Sequence, residues 1–318
     1  MSILAITLNP AIDVVYEIEN YQQGESNRVD RAFYSPGGKG NNAARSAKKN
    51  TDVPVIAMGF AGGGRGTWLE EKLQEEGIQP HFIQTGSETR QCIAVASGNE
   101  TTEILEGNFS VTAIEETRFI RELKNVIAAH QVSVCTISGS FPQGVTLSFL
   151  QDVMTVLKDS GVRVMLDTSD LRLLELLTYE PEWIKPNEDE IKKFAAHLGK
   201  EADSVLETAR LLLDKGAKNI IVSLGKQGML AVNQTEAFQV IPPHVETASS
   251  VGAGDATVAG ILTAAEKGLD LEGAVKRAAA FGAAAVTEYR AGVVDPLKVS
   301  ECENQIERMP LKTEGSKQ

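Results

Sequence analysis

The strongest chemical signal in the sequence is Ser249-Ser-Val-Gly-Ala-Gly-Asp-Ala-Thr-Val-Ala-Gly260. Gly252 and Gly254 flank Ala253 directly before Asp255, and a small-residue helical stretch follows. Such a sequence leaves backbone N–H groups free at a helix N-terminus, where the dipole also favours negative charge. Glycine lets that backbone approach an anion closely. A carboxylate beside such a nest would repel a phosphate. Its useful chemistry is that of a base removing a proton from a hydroxyl next to the phosphate. The competing reading is that Asp255 caps the helix and the glycines only make the turn.

A second glycine-rich stretch, Ser35-Pro-Gly-Gly-Lys-Gly-Asn-Asn-Ala-Ala44, offers Lys39 and Asn42 to a polar ligand that the backbone can approach closely. Gly38, Gly40 and Ala43 formally match the dinucleotide fingerprint. That fingerprint wants an acidic residue after the next strand, whereas Asp52 precedes the run at 53–58. The phosphate-loop pattern is absent, because Lys39 is followed by Gly40 and Lys226 by Gln227. In Ile184-Lys-Pro-Asn-Glu-Asp-Glu190, Pro186 makes Lys185 extended and a helix begins just after. Asn187 and Glu190 are three apart and can face the same way, either as oxygen ligands reaching magnesium through water or as a capping pair. Asp13 follows the first strand, where ligands of open parallel sheets bind. Arg28, Arg90 and the turn Ser223-Leu-Gly-Lys-Gln-Gly228 are weaker candidates.

These residues need elements to hold them. Short apolar runs at 3–8, 53–59, 132–137, 162–166 and 219–224 read as buried strands. Helical patterns at 68–76, 114–129, 147–160, 188–198 and 203–215 alternate with them, which implies a parallel sheet covered on both faces. The stretches 14–34 and 80–105 break the alternation. The second reads as strands at 81–84, 91–96 and 101–105, with a hairpin turn at 97–100. The two stretches are expected to form a small separate sheet. Residues 253–286 are Ala- and Gly-rich with a helical period, and the polar residues after Met309 are expected to fray.

Composition bounds the function. The chain has 318 residues, 42% of them hydrophobic, enough for a full core. A net charge of −12 opposes nucleic acid or an anionic membrane as partner. No run approaches the length of a membrane span, and residues 1–7 carry no leader pattern. Cys92, Cys135 and Cys302 form neither a disulfide framework nor a zinc pattern, so a reducing cytoplasm is expected. Residues 28–50 are locally basic, with Arg28, Arg31, Lys39, Arg45, Lys48 and Lys49 against Asp30 alone. That segment is expected to serve an anionic substrate.

Taken in order, Asn9-Pro10 with Asp13, Gly37-Gly-Lys-Gly40 with Asn42, Ser138-Gly-Ser140, Lys185-Pro-Asn187 with Glu190, Ser223-Leu-Gly225 and Gly252-Ala-Gly-Asp255 resemble the ribokinase-like (PfkB) sugar kinases. The resemblance spans nearly the whole chain. Thr7-Leu-Asn-Pro10, Asn27-Arg-Val29 and Lys39 are most similar to the branch acting on phosphorylated ketohexoses. Thr89-Arg90, Cys92-Ile-Ala94 and Thr102-Glu-Ile-Leu105 look most like tagatose-6-phosphate kinase, with 1-phosphofructokinase the close neighbour and a 6-phosphofructokinase a third option.

The resemblance implies an α/β fold with a mostly parallel central sheet flanked by helices. Its core would be residues 1–11, 35–79 and 107–318, and a β lid would be residues 12–34 and 80–106. It implies ATP and magnesium as cofactors, a sugar phosphate as partner, and a homodimer through paired lids. Asp255 would be the catalytic base and Gly252, Ala253 and Gly254 the anion hole. Asp13, Gly38, Asn42 and Ser138 would line the sugar site, Lys39 and Arg90 would hold its phosphate, and Arg28 would reach a site from the lid. Lys185, Asn187, Ser223, Gly225 and Gly228 would border ATP, with Asn187 and Glu190 placing magnesium through water. Ala256, Asn41 and Phe141 depart from the branch pattern without removing a charged group. A nicotinamide-dependent oxidoreductase and a non-catalytic sugar-phosphate sensor are the readings from other classes.

Overall fold

The computed structural model describes residues 1–98, 100–107, 109–200, 204–288 and 290–311. The chain opens with strand β1 (Ser2–Thr7), turns at Asn9-Pro10 and runs into β2 (Ala11–Glu17), which returns as β3 (Arg31–Gly37) and feeds helix α1 (Lys39–Lys48). Next come β4 (Val55–Ala61), α2 (Gly63–Glu75), β5 (Gln79–Gln84), β6 (Arg90–Ser97) and β7 (Glu100–Leu105). A helix–strand alternation follows: α3 (Ala113–His130), β8 (Val132–Ser138), α4 (Leu147–Asp159), β9 (Arg163–Asp167), α5 (Leu173–Leu176), β10 (Trp183–Ile184), α6 (Glu188–His197), α7 (Val205–Asp214) and β11 (Asn219–Ser223). The chain ends with β12 (Met229–Val232), β13 (Ala237–Ile241), α8 (Ala253–Glu266), α9 (Leu271–Ala285), α10 (Pro296–Glu303) and β14 (Glu307–Pro310).

The main sheet has ten strands in the order β14-β13-β12-β11-β10-β9-β8-β1-β4-β5. From β5 to β11 every pairing is parallel, and β12, β13 and β14 close one edge antiparallel. The parallel strands are apolar on both faces, because helices cover both. In β1, Ile3 and Ala5 join the core shared with α1, α2, α8 and α9, while Leu4 and Ile6 join the core shared with α3, α4, α6 and α7. That alternation is why these strands read as continuous apolar runs.

The second sheet has four strands in the order β3-β2-β6-β7. It sets Asp13 opposite Ser35 and Cys92, and Ala11 opposite Arg90. One expectation is corrected. Residues 81–84 pair in parallel with β4 as the edge of the main sheet, so only β6 and β7 of the 80–105 stretch join the small sheet. β5 follows α2 directly, so the short connection lays it beside β4. The hairpin turn at 97–100 includes Asn99, which lies outside the described residues, as do residue 203 at the expected start of the helix that includes α7 and residues 312–318 of the tail.

Chain direction across the main sheet reverses at β1. The strands β4 and β5 lie to one side of it and β8, β9, β10 and β11 to the other. Open α/β sheets bind ligands at such a switch point, beyond the carboxyl ends of the strands. The ends of β1, β8 and β9, and the residues after β10 and β11, therefore point at one crevice. Helices α1 and α8 pack against each other and both contact β1 and β8.

Candidate active site

The first turn of α8 brings Asp255 into this crevice. Its N-cap is Gly252, with φ +80°, where a Cβ would meet the Ala291 Cβ at 2.6 Å. Only glycine takes that turn without strain. No side chain caps the helix, so the capping reading of Asp255 is not what the fold uses. The carboxyl instead accepts a hydrogen bond from Asn42 Nδ2 at 3.0 Å. Burial, followed by the charge of Asp167, pushes the Asp255 carboxyl up to about 7, against the opposing pull of Asn42, Lys39 and Lys185. A buried carboxyl titrating near neutrality is suited to proton abstraction.

Helix α1 supplies the next groups. Its N-cap Gly38 has φ +97°, and a Cβ there would press on Thr7 Cγ2 at 2.8 Å. Asn41 locks the turn, donating to the Gly37 carbonyl at 2.8 Å and accepting from Thr7 Oγ1 at 3.2 Å. This position departs from the branch pattern, and here it is a structural clamp. Lys39 reaches the crevice, with its Nζ 3.9 Å from Glu190 Oε1. The charge of Asp167, ahead of Glu190 and Asp255, holds its ammonium above the ordinary lysine value. Gly139, just after Ser138, faces the Lys39 side chain. Ser138 itself is buried and hydrogen-bonds Thr136 at 2.7 Å.

The small sheet contributes Asp13 and Arg90. Burial pushes the Asp13 carboxyl up to about 6, and Asn42, Arg45 and Arg90 act against that rise. Arg90 Nε is buried and has no hydrogen-bond partner among the described residues. A buried guanidinium donor left open is a ready contact for a phosphate or carboxylate oxygen.

On the far side, Asn187 and Glu190 form the capping box of α6. Glu190 N donates to Asn187 Oδ1 at 2.8 Å, and Asn187 N donates to Glu190 Oε2 at 3.0 Å. The capping reading of this pair is therefore realised, yet Glu190 Oε1 stays turned toward Lys39. Ser223 lies beside this turn, its N–H donating to the Pro186 carbonyl at 3.0 Å. Gly225 and Gly228 shape the bend after β11, closed by Leu224 N donating to the Gly228 carbonyl at 2.8 Å.

Asp167 is a residue that sequence reading missed. It ends β9, and its Oδ1 lies 3.1 Å from Lys185 Nζ in a nearly sealed ion pair. The Lys185 ammonium lies 3.9 Å from where a Cβ on Gly254 would sit, and so above the first turn of α8. The available signal was an acidic residue ending an apolar strand run.

Not every candidate converges. Arg28 is exposed in the connection between β2 and β3. The basic segment 28–50 is dispersed, so the expectation that it serves one anion is corrected. Arg45 is buried and holds Glu76 at 2.7 Å. Lys48 and Lys49 sit at the opposite end of α1, and Arg31 pairs with Glu17. Residues three to four apart share a helix face, but the ten-residue α1 is about 15 Å long. The dinucleotide match fails as well. The strand before α1 is antiparallel β3 of the small sheet, not the first strand of a βαβ unit.

A family model described as "pfkB family carbohydrate kinase" matches residues 3–297. The chain belongs to the pfkB family. A tagatose-6-phosphate kinase of Staphylococcus epidermidis is 32% identical over 311 residues, covering 96% of this chain and 98% of that protein. Among solved structures, Escherichia coli phosphofructokinase-2 in complex with fructose-6-phosphate superposes with a TM-score of 0.85 at 26% identity, covering 95% of this chain and 98% of that one. A Thermotoga maritima protein described as a possible 1-phosphofructokinase gives a TM-score of 0.86 at 27% identity, covering 98% and 100%. The pfkB fold thus accounts for the ten-stranded sheet and the smaller sheet beside it.

Proposed function

We propose that this pfkB-family protein transfers the γ-phosphoryl group of ATP to a hydroxyl of a phosphorylated ketohexose. The best reading is tagatose 6-phosphate to tagatose 1,6-bisphosphate. The carrying observation is the buried Asp255 carboxyl, hydrogen-bonded by Asn42, set in the first turn of α8 and felt by the charges of Lys39 and Lys185. The name of the Staphylococcus relative favours tagatose 6-phosphate. Fructose 1-phosphate or fructose 6-phosphate giving fructose 1,6-bisphosphate is the second reading, favoured by the names of the structural relatives.

Phosphoryl transfer is mostly positioning and electrostatic stabilisation. In this reading Asp255 accepts the hydroxyl proton as the oxygen attacks. The N–H groups of Gly252, Ala253 and Gly254 face charge on the transferring group. Asp13, Gly38, Asn42 and Ser138 seat the sugar, and Arg90 and Lys39 hold its phosphate. Lys185, Asn187, Ser223, Gly225 and Gly228 border ATP. Magnesium fits this donor set through water. Glu190 Oε1 is the carboxylate oxygen its capping box leaves over, and no cluster of three or more acidic, His or Cys ligands exists among the described residues. When bound, magnesium neutralises phosphate charge.

The reading assigns β2, β3, β6 and β7 to a lid over a core formed by the rest, whose closure excludes water. Two lids would pair in a homodimer, covering their open strand edges and giving Arg28 a partner's site to reach. Among the described residues no helix is long and apolar enough to cross a membrane.

The deciding experiment is ADP release with tagatose 6-phosphate, fructose 1-phosphate, fructose 6-phosphate and the unphosphorylated sugars. Turnover with a ketohexose phosphate is expected. Binding of these sugars without ADP release would establish a sensor instead.

A further inference from the structure

The lysines that α1 carries away from the crevice meet other charges at a second place. The end of α1 and the loop behind it, with α9 and α10, wall a cavity of about 550 Å³. Small-molecule sites run from about 300 to 1,000 Å³. The ionisable residues of its lining are Lys48, Lys49 and Arg277 against Asp52 and Glu303, a positive balance in a chain of net charge −12. Lys39 stands at the crevice end of α1 and Lys48 at the other, about 15 Å away, so the cavity is separate from the site of Asp255. Arg277 is buried, and its guanidinium is fixed on several sides. Nε donates to Thr263 Oγ1 of α8 at 2.9 Å, Nη1 donates to Glu303 Oε2 at 3.1 Å, and the group lies 5.2 Å from the centre of the Phe281 ring. Nη2 is left without a hydrogen-bond partner among the described residues. Asn50, also in the wall, donates to the Ser46 and Val294 carbonyls at 3.0 and 3.2 Å, which fastens the end of α1 to the segment leading into α10.

We propose that this cavity is a second binding site, for a small metabolite that carries one phosphate and free hydroxyls. A cation in the last turn of a helix offsets the dipole without any ligand. That explains Lys48 and Lys49 on α1 but not the convergence on them of Arg277 from α9. Lys48, Lys49 and Asp52 make no ion pair among the described residues, and Glu303 is already engaged by Arg277. Two free ammoniums and an open guanidinium nitrogen bind a phosphate through charge-assisted hydrogen bonds. Because Arg277 is held beforehand, little side-chain freedom is lost on binding. The Asp52 carboxylate repels a second phosphate and accepts hydrogen bonds from hydroxyls, and the Ser300 hydroxyl can do either. The occupant is therefore a sugar phosphate or a nucleotide rather than a free phosphate ion.

The test is methyl NMR of the ligand-free, full-length protein, read at Val299, which lines the cavity and is assigned through Val299→Ile. AMP, ribose 5-phosphate and inorganic phosphate are titrated separately. The Val299 signals are expected to shift saturably with AMP, with ribose 5-phosphate or with both. A response to AMP alone marks a nucleotide site, and a response to ribose 5-phosphate marks a sugar-phosphate site. Inorganic phosphate should bind about tenfold more weakly or worse, for want of the hydroxyl contacts. Lys48→Gln combined with Lys49→Gln should weaken the organic phosphates by about tenfold or more, as should Lys49→Glu alone. Both lysines lie at the end of α1 outside the core, so the variants should keep the native melting temperature. No shift with either organic phosphate at millimolar concentration overturns the proposal. So does an equal midpoint for inorganic phosphate, which marks an adventitious ion only. An undiminished shift in the double variant also overturns it, because the signal then reaches Val299 from ligand bound in the crevice. The proposal stands apart from the kinase reading. A protein that releases no ADP with any sugar phosphate sinks that reading and leaves the NMR outcome standing.

Discussion

Asp167 and Lys185 face each other at 3.1 Å, both almost sealed from solvent, behind the turn that presents Asp255. The pair fixes an ammonium above the α8 N-terminus and keeps a carboxylate close enough to Asp255 to make its ionisation harder. Breaking such a pair leaves an uncompensated buried charge. Asp167→Asn is therefore expected to destabilise the protein by about 3–5 kcal/mol, measured by urea unfolding. It should also lower the pH at which Asp255 ionises. A stability within experimental error of the native protein would show that the pair does not hold a buried charge in place.

Asp255→Asn should bind ligands nearly normally and lose general-base help, a fall of about 10²–10⁴ in kcat. Near-native turnover would refute the assignment of the base.

The same substitution should stabilise the fold at alkaline pH. Burial and the charge of Asp167 push the Asp255 carboxyl up to about 7 in the folded chain, against 3.8 for an ordinary aspartate. Between those values the native state holds a proton that the unfolded state has released. Stability contributed by this group is full below the lower value and is lost as pH rises through the upper one. Replacing the carboxyl by an amide avoids that loss, on the order of 2–4 kcal/mol at pH 8. A melting temperature above the native one at pH 8, with the difference shrinking toward pH 4, is the expected result.

The pH–rate profile should carry the same signature. Log kcat/KM should fall with unit slope below about pH 7 as Asp255 is protonated, and more steeply below about 6 as Asp13 follows. A flat profile between 5 and 8 would exclude Asp255 as an ionised base.

Arg90→Ala removes the guanidinium whose buried Nε has no hydrogen-bond partner among the described residues. The sugar-phosphate KM is expected to rise about 10–100-fold, with a smaller effect on kcat. An unchanged KM would contradict the role of Arg90 in holding the substrate phosphate.

The sequence by itself determined the family, the alternation of buried strands with helices, and the chemical types at the site. These are local matters. Apolar runs report burial on both faces of a sheet, and the Gly252-Ala-Gly254 turn is written in residues next to one another. What only the tertiary structure decided involves residues far apart in the chain. Strand β5 looks like its neighbours β6 and β7 in composition, and only pairing with β4 places it in the main sheet. The basic segment 28–50 looked like one patch, and the direction of α1 sent Lys39 to the crevice and Lys48 and Lys49 away from it. Asp167 and Lys185 became a pair, and Asn42 met Asp255 across 213 positions, because the carboxyl ends of parallel strands and the first turns of α1 and α8 share one crevice. The charge on a side chain is a property of its residue type. Its proton affinity and its partner are properties of the place to which the whole fold brings it.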